Sequence, residues 1–391
     1  MPEPIVIPAH IRRRALVGLT LTYLLSFASM GIQLPFTAMA MKTAGVGPAV
    51  IGHMWAARSL TGAVSPLLWG LVADRIGGAR PLLLAALAAG TAIFFALAIE
   101  PTATSAVVLF ALYGLLPANS LVDGMVLTAL GPQASHYGRY RAAGTVGFGI
   151  SAVVVSVAVE RGLLSSAPAV LFPVCGSLIA LAFVVVALFV PALPRPALSG
   201  WAGVGDALKN RVLVGLVVAA SLLWASHAGY VSFLSPLAEA VGLPPTVGFA
   251  VFAAVVVEAI AMPLAPSIVA RFSPGSVMLA CGVVAVVRWS LTPYAVTPVT
   301  FALVNGLHGI TFGLFYVVVV GVIARHVPST LRQTSQGLLS SLSLGLGGVV
   351  GGVGVGAMLE HQVDIHVIWW SMAAVAAAAT ALLIPLVKRA S

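Results

Sequence analysis

The chain has 391 residues, 60% of them apolar and 7% charged, with 19 Lys and Arg against 10 Asp and Glu and a formal charge of +9. Soluble domains are about one quarter charged. This composition, with a mean hydropathy of +1.10, therefore excludes a soluble globular protein, as well as a disordered, collagen-like or disulfide-built one. A nucleic-acid binder would need a basic face on a soluble domain, and the sequence offers none.

Twelve bilayer helices of about 20 residues would take roughly 240 residues, which is close to the apolar share. Gly, Pro and charge clusters divide the apolar runs into spans at 16–39, 50–72, 81–99, 104–129, 142–159 and 167–190, then 212–238, 247–269, 275–295, 299–323, 335–358 and 367–387. The fold class expected is thus an all-α polytopic membrane protein of twelve spans. IRRR before the first run resembles the start of a secretory signal, but the run exceeds a signal core of about 7–15 residues and lacks a convincing small-residue cleavage site. It reads as the first span. The mixed-polarity segment 191–211, PALPRPALSGWAGVGDALKNR, reads as a linker between an N-terminal six-helix bundle, 1–190, and a C-terminal one, 212–391.

With both termini cytoplasmic, one set of connections holds Arg12, Arg13, Arg14, Arg75, Arg80, Arg139, Arg141, Arg195, Lys209, Arg211, Arg271, Arg325, Arg332, Lys388 and Arg389. The other has Lys42 and Arg161, with Glu100, Glu160, Glu239, Glu360 and Asp364. The positive-inside rule selects this orientation, in a plasma (bacterial inner) membrane. A faint repeat links PLLWGLVADRIGGARPLLLA (66–85) with PLAPSIVARFSPGSVMLA (263–280), at the same place in each half. Repeated halves are one architecture of secondary carriers, with the solute near the midplane between them.

Pro35, Pro117 and Pro236 each remove a backbone hydrogen bond inside a span and are expected to kink it. The pairs Gly347/Gly351, Gly348/Gly352 and Gly352/Gly356 of the eleventh span allow close backbone approach. Cys175 and Cys281 lie in apolar runs without ligand spacing and read as packing residues.

Five ionisable groups fall inside spans: Arg58, Asp123, Glu258, Arg288 and His308. Such groups mark pathways or paired sites by default. At 1.5 Å per residue Arg288 lies roughly 10 Å from the far end of its span and His308 roughly 14 Å from the near end of the next, so their depths nearly match. Glu258, mid-span, can join them in a cluster that binds and releases a proton. The other readings are a permanent Glu258–Arg288 ion pair and a purely structural His308. Asp123 can pair with Arg141 across LGPQASHYGRYR, unless Arg139 and Arg141 serve only as interfacial anchors. Arg58 either lines the cavity or pairs with Asp123.

The run GLVADRIGGAR, with Gly70, Asp74, Arg75, Gly77 and Arg80, resembles the loop motif between the second and third helices of the major facilitator superfamily. That resemblance implies a cytoplasmic gate, with Asp74 gating rather than binding solute. The tracts YGRYRAAGTVGF, VVRWSLTPY, LHGITFGLFY and LRQTSQGLLSSLSLGLGG, with the Glu258 helix, resemble the proton-symporter subgroup containing lactose permease, nucleoside symporters and the 3-phenylpropionate transporter. The resemblance implies solute binding at Asp123 and Arg141, and proton coupling at Glu258, Arg288 and His308. Several positions depart from that pattern. Thr311 stands where the subgroup has a glutamate three residues after the histidine, and Asn305 where it has a lysine three before. The lysine's acidic partner falls near His227, the stacking tryptophan is Phe148, and the sugar-binding asparagine is Ala261. A galactoside is therefore not the expected solute. Phe148 and Arg141, with Arg58 or Arg288, favour an anionic or aromatic carboxylate.

The function expected is secondary active import of a small organic solute with a proton carried by Glu258 and relayed by His308. Proton-exchange efflux of drugs or metabolites is the alternative. No phosphate loop, metal-ligand spacing or nucleophile-base pair is present in the sequence, so an enzyme, a cofactor or a metal is not expected. The expected partners are the solute, protons and the lipid bilayer, with the chain acting as a monomer.

Overall fold

The computed structural model describes residues 7–76, 78–116, 118–193, 209–243, 247–326, 339 and 341–390. Its regular elements are all helical. Eleven helices or helix pairs, the first Ala9–Thr43 and the last Ile365–Leu386, are long and apolar enough to cross a membrane among the described residues. Pro48–Ile76, a helix of 29 residues, stands in the place of the second expected span. The spans follow the apolar runs but overshoot them at several ends: the first begins at Ala9, taking in the arginine run, and the second continues past residue 72. Polar flanks lengthen these helices because the backbone must stay hydrogen-bonded until it reaches water. Of the linker expected at 191–211, residues 194–208 lie outside the described residues; Asn210 ends it by capping the seventh span, its Oδ1 accepting from the amides of Val212 and Leu213.

Four spans are interrupted, and side chains satisfy the freed backbone in places. The fourth is split into Ala103–Gly114 and Ala118–Leu130, on either side of Pro117, which is outside the described residues. The carbonyl of Leu115 accepts from Ser65 Oγ at 2.8 Å and Trp69 Nε1 at 2.5 Å, and that of Ala111 from Thr61 Oγ1 at 2.8 Å. Thr61, Ser65 and Trp69 are spaced by four on one face of the second span. In the seventh span, Arg211–Ala240, the kink falls at Phe233 (φ −129°, ψ 24°), three residues before Pro236. Pro35 lies within the continuous first helix, and its carbonyl accepts from Ser235 Oγ at 2.5 Å. The tenth span changes from Pro298–Gly306 through a π-turn at Gly309–Leu314 to Phe315–His326. The eleventh begins its described part with a π-turn, Ser341–Leu346, followed by Gly347–Glu360. Such turns are enriched at functional sites.

The eleventh span's glycines are packing positions on two faces. A Cβ on Gly347 would lie 2.7 Å from the Ser221 carbonyl oxygen of the seventh span, and one on Gly356 would lie 2.8 Å from that of Pro48 in the second. Cys175 and Cys281 are buried free thiols.

Contacts between the first six spans and the last six gather at the end carrying Lys42. Lys42 Nζ meets Glu239 Oε2 at 2.8 Å, Glu360 Oε2 accepts from the Ala49 amide at 3.2 Å, and Gly248 N donates to Ser156 Oγ at 3.0 Å. Deeper in the bundle, Ser341 Oγ donates to the Ala63 carbonyl at 2.8 Å. At the opposite end Arg80 donates to the carbonyls of Val190 (2.6 Å) and Ala187 (3.0 Å), and Arg14 to that of Leu188 (2.5 Å). Two cations thus cap the sixth span, Pro168–Phe189, where the helix dipole favours them. For the rest of the expected gating motif, the side chains of Asp74 and Arg75 and all of Gly77 lie outside the described residues, while Gly70 sits within Pro48–Ile76.

Candidate functional site

Asp123, on the lower half of the broken fourth span, is the centre of an acidic site. Its Oδ1 accepts from the Tyr137 hydroxyl at 2.8 Å and from that of Tyr23, which comes from the first span. Arg141 Nε stands 4.0 Å from the same oxygen, and both side chains are about one third exposed, at 34% and 39%. The guanidinium of Arg141 lies over the Phe27 ring at 4.0 Å and near Tyr23 at 5.5 Å. Gly144, one turn on, leaves the room: a Cβ there would sit 3.0 Å from Phe27 and 3.1 Å from Arg141 Nη1. Acid and arginine therefore meet across the connection LGPQASHYGRYR as expected, although two tyrosine hydroxyls hold the carboxylate more closely than the arginine does. Phe148 lies seven residues beyond Arg141, on the same helical face, with its backbone against Gly31.

Arg58 does not join this group. Its guanidinium lies between the rings of Trp55 (5.3 Å) and Tyr113 (5.4 Å), and its Nε is buried without a partner among the described residues. Pairing of Arg58 with Asp123 is corrected accordingly: the tyrosines and Arg141 occupy the carboxylate, and stacking on two rings takes the place of an ion pair.

The second site is in the last six spans. Arg288 is fully buried; its Nη1 donates to His308 Nδ1 (3.2 Å) and Thr311 Oγ1 (3.4 Å), and its Nη2 to Asn305 Oδ1 (3.1 Å). The rings of Trp289 and Tyr230 lie 4.1 and 4.6 Å from the guanidinium carbon. Guanidinium only donates, so His308 Nδ1 is an acceptor and the imidazole carries its proton on Nε2. His227 Nδ1 lies 2.8 Å from the Leu223 carbonyl, which can only accept; its Nε2, 2.9 Å from Thr311 Oγ1, then accepts from that hydroxyl. A chain of donors thus runs from Arg288 through Thr311 to His227. The Glu258–Arg288 ion pair is not formed, because neutral acceptors of the tenth span take the guanidinium first.

Glu258 lies about 15 Å along the eighth span, Gly248–Phe272, and is half-buried. It packs on the π-turn: a Cβ on Gly313 would come within 2.7 Å of Glu258 Cγ, and one on Gly309 would run into its backbone amide. The cation whose field reaches it is Arg141, across the contact between the fifth and eighth spans. Glu258 is thus set between the two sites rather than inside the Arg288 cluster.

Tyr23, Phe27, Tyr137, Tyr230 and Trp289 were not read as site residues from the sequence, since an aromatic residue in an apolar run looks like packing. Gln33, His227 and Asn305, polar residues within apolar runs, carried the available signal. Gln33 Nε2 donates to Ser29 at 2.7 Å while its Oε1 is buried without a partner among the described residues.

The profile of the MFS_1 like family matches residues 16–369. A search of curated proteins gives no match. Among solved structures, a mutant of the nucleoside transporter NupG superposes with a TM-score of 0.85 at 19% identity, covering 95% of this chain and 99% of that one. A bacterial homologue of the human lysosomal transporter Spinster, inward-facing and occupied, superposes with a TM-score of 0.75 at 15% identity, covering 98% of each. At these identities the likeness establishes the fold, whereas the profile spans most of the sequence. The chain belongs to the MFS_1 like family, and it is a multi-pass membrane protein and a secondary transporter of the major facilitator type, not an enzyme.

Proposed function

We propose that this transporter imports a small organic anion together with protons by alternating access. The observation that carries the reading is the charge inventory of the half-buried and buried ionised groups in and around the two sites, which includes Arg141 at the start of the fifth span. Three guanidinium groups, Arg58, Arg141 and Arg288, stand against two carboxylates, Asp123 and Glu258. Positive charge is left over with both acids ionised, and more of it when Glu258 is protonated. Unbalanced charge in a bilayer costs several kcal/mol, and an anionic solute supplies the balance. Glu258 is the proton carrier in this reading: it is mid-span, half-buried and within the field of Arg141, so solute arriving at Arg141 changes the field in which Glu258 gains or loses its proton. His308, a neutral acceptor toward Arg288, is the relay.

The arginine-rich connections support a cytoplasmic Arg80 end and an outer Lys42 end, in a plasma membrane. The inter-half contacts at the Lys42 end then close the outer side, and the partly exposed Asp123–Arg141 site opens inward. Arg80 belongs to the cytoplasmic gate, holding the end of the sixth span.

A second reading, a neutral hydroxyl-bearing solute, is favoured by the two tyrosine hydroxyls around Asp123 and by the likeness to a protein named a nucleoside transporter. Luminal pH in proteoliposomes, recorded while aromatic carboxylates, aliphatic carboxylates and nucleosides are added without an imposed gradient, separates these readings. Acidification by carboxylates that disappears in Glu258→Gln is the expected result. Acidification by nucleosides alone would select the second solute class, and alkalinisation would turn the direction to exchange.

A further inference from the structure

Arg288 has a deficit that its surroundings leave unmet. A guanidinium stays protonated in proteins, and this one is 0% exposed, yet each group it touches is neutral: an imidazole nitrogen, the hydroxyls of Thr311 and Tyr230, an amide oxygen and two ring faces. Its Nε is buried with no hydrogen-bond partner among the described residues. Nor does any carboxylate pair with it there; the ion pairs are Lys42–Glu239, Arg141–Asp123 and His366–Asp364. The segments of the C-terminal half outside the described residues add no acid, and those of the linker before it add a single one, Asp206. An unpaired ion buried this deeply carries a penalty of several kcal/mol even after relaxation.

One hydroxyl away from the guanidinium, between the seventh, tenth and eleventh spans, lies a slot of about 30 Å³, room for one water-sized group. Its walls are mostly apolar and include Trp224, Phe312 and Tyr316, with His227, Thr311 and Ser343 as the polar residues among them. Trp224 packs on Phe312 with ring centroids 4.9 Å apart and lies parallel to the His227 ring. Ser343 Oγ is buried there without a partner among the described residues. Thr311 is both a wall of the slot and a ligand of Arg288, so one hydroxyl separates the slot from the buried charge.

We propose that Arg288 seats the carboxylate of the transported solute, the anion reaching the guanidinium past Thr311 from the side of the slot. The anion displaces Thr311 from Nη1 and takes further hydrogen bonds from the hydroxyls of Thr311 and Ser343. Planar, forked recognition of this kind suits arginine and a carboxylate. This rests on the reading that the solute is an organic anion and moves the seat of its charge from the Asp123–Arg141 pair to the C-terminal cluster. An inorganic anion such as chloride has the same basic chemistry and is the other source to be separated.

The test is the unfolding temperature of the purified full chain in a neutral detergent and a Tris–HEPES buffer free of chloride and carboxylates, titrated with sodium benzoate, benzamide or sodium chloride. Benzoate raises it in the wild type and benzamide does not. Arg288→Gln removes the benzoate shift. Thr311→Glu, which builds a carboxylate beside the guanidinium, weakens the apparent benzoate affinity about 30-fold and keeps the proposal testable if Arg288→Gln fails to fold. A benzoate shift that survives Arg288→Gln and vanishes in Arg141→Gln would overturn the seat while leaving the organic-anion reading intact. A shift with chloride and none with benzoate would overturn the assignment to solute. No shift with any of the three would also overturn the seat, and acidification of proteoliposomes by carboxylates would then judge the transport reading separately.

Discussion

The two charged centres of this transporter solve the same problem differently. Around Asp123 the charge is met by charge and by hydroxyls: a guanidinium at 4.0 Å, two tyrosines and partial access to the aqueous side. Around Arg288 the charge is met by dipoles and ring faces, with full burial. A partly exposed ion pair gains little and loses little on being disturbed. A buried ion held by neutral ligands responds strongly to any change in their number or geometry. The first centre is therefore expected to tune affinity, and the second to decide whether transport occurs.

The largest effect is expected at Arg288. Arg288→Lys keeps the charge but loses the planar fork that serves His308, Thr311 and Asn305 together, and uptake by proteoliposomes should fall about 100-fold or more. Retention of most uptake would equate the two centres. Gly309→Ala comes next, because its Cβ drives into the Glu258 backbone where the eighth and tenth spans touch. Overpacking of about 1–3 kcal/mol should lower the unfolding temperature in detergent by several degrees and reduce uptake. At the first centre, Tyr137→Phe removes one hydrogen bond to Asp123, about 1 kcal/mol, and should raise the half-saturation concentration about fivefold with maximal uptake preserved. Lys42→Ala breaks an ion pair whose side chains are 58% and 52% exposed. Its effect on unfolding temperature should be the smallest of the four, near the error of the measurement.

Much of this was legible in the sequence. The twelve apolar runs correspond to twelve helices or helix pairs, eleven of them long and apolar enough to cross a membrane among the described residues, and a short connection and matched depths brought Asp123 to Arg141 and Arg288 to His308, because short connections between antiparallel helices convert sequence distance into depth. Helix interruptions were legible where proline causes them, as at Phe233 ahead of Pro236. The π-turn at Gly309–Leu314 has no such mark, and the glycines in it matter through Glu258 on another helix. The same holds for Tyr23, whose partner Asp123 is 100 residues away. Arg58 was the misleading case: its depth was legible, but its burial against Trp55 and Tyr113 depends on helix rotation, which a nearly all-apolar span does not encode.

The central claim is that Glu258 carries the proton while other groups hold the solute. It is tested most directly by measuring counterflow exchange and solute-driven luminal acidification on the same Glu258→Gln proteoliposomes. A carboxyl replaced by its neutral amide mimics the protonated carrier, so exchange should remain within about threefold of wild type while acidification is lost. Acidification at the wild-type rate in that variant would contradict the claim.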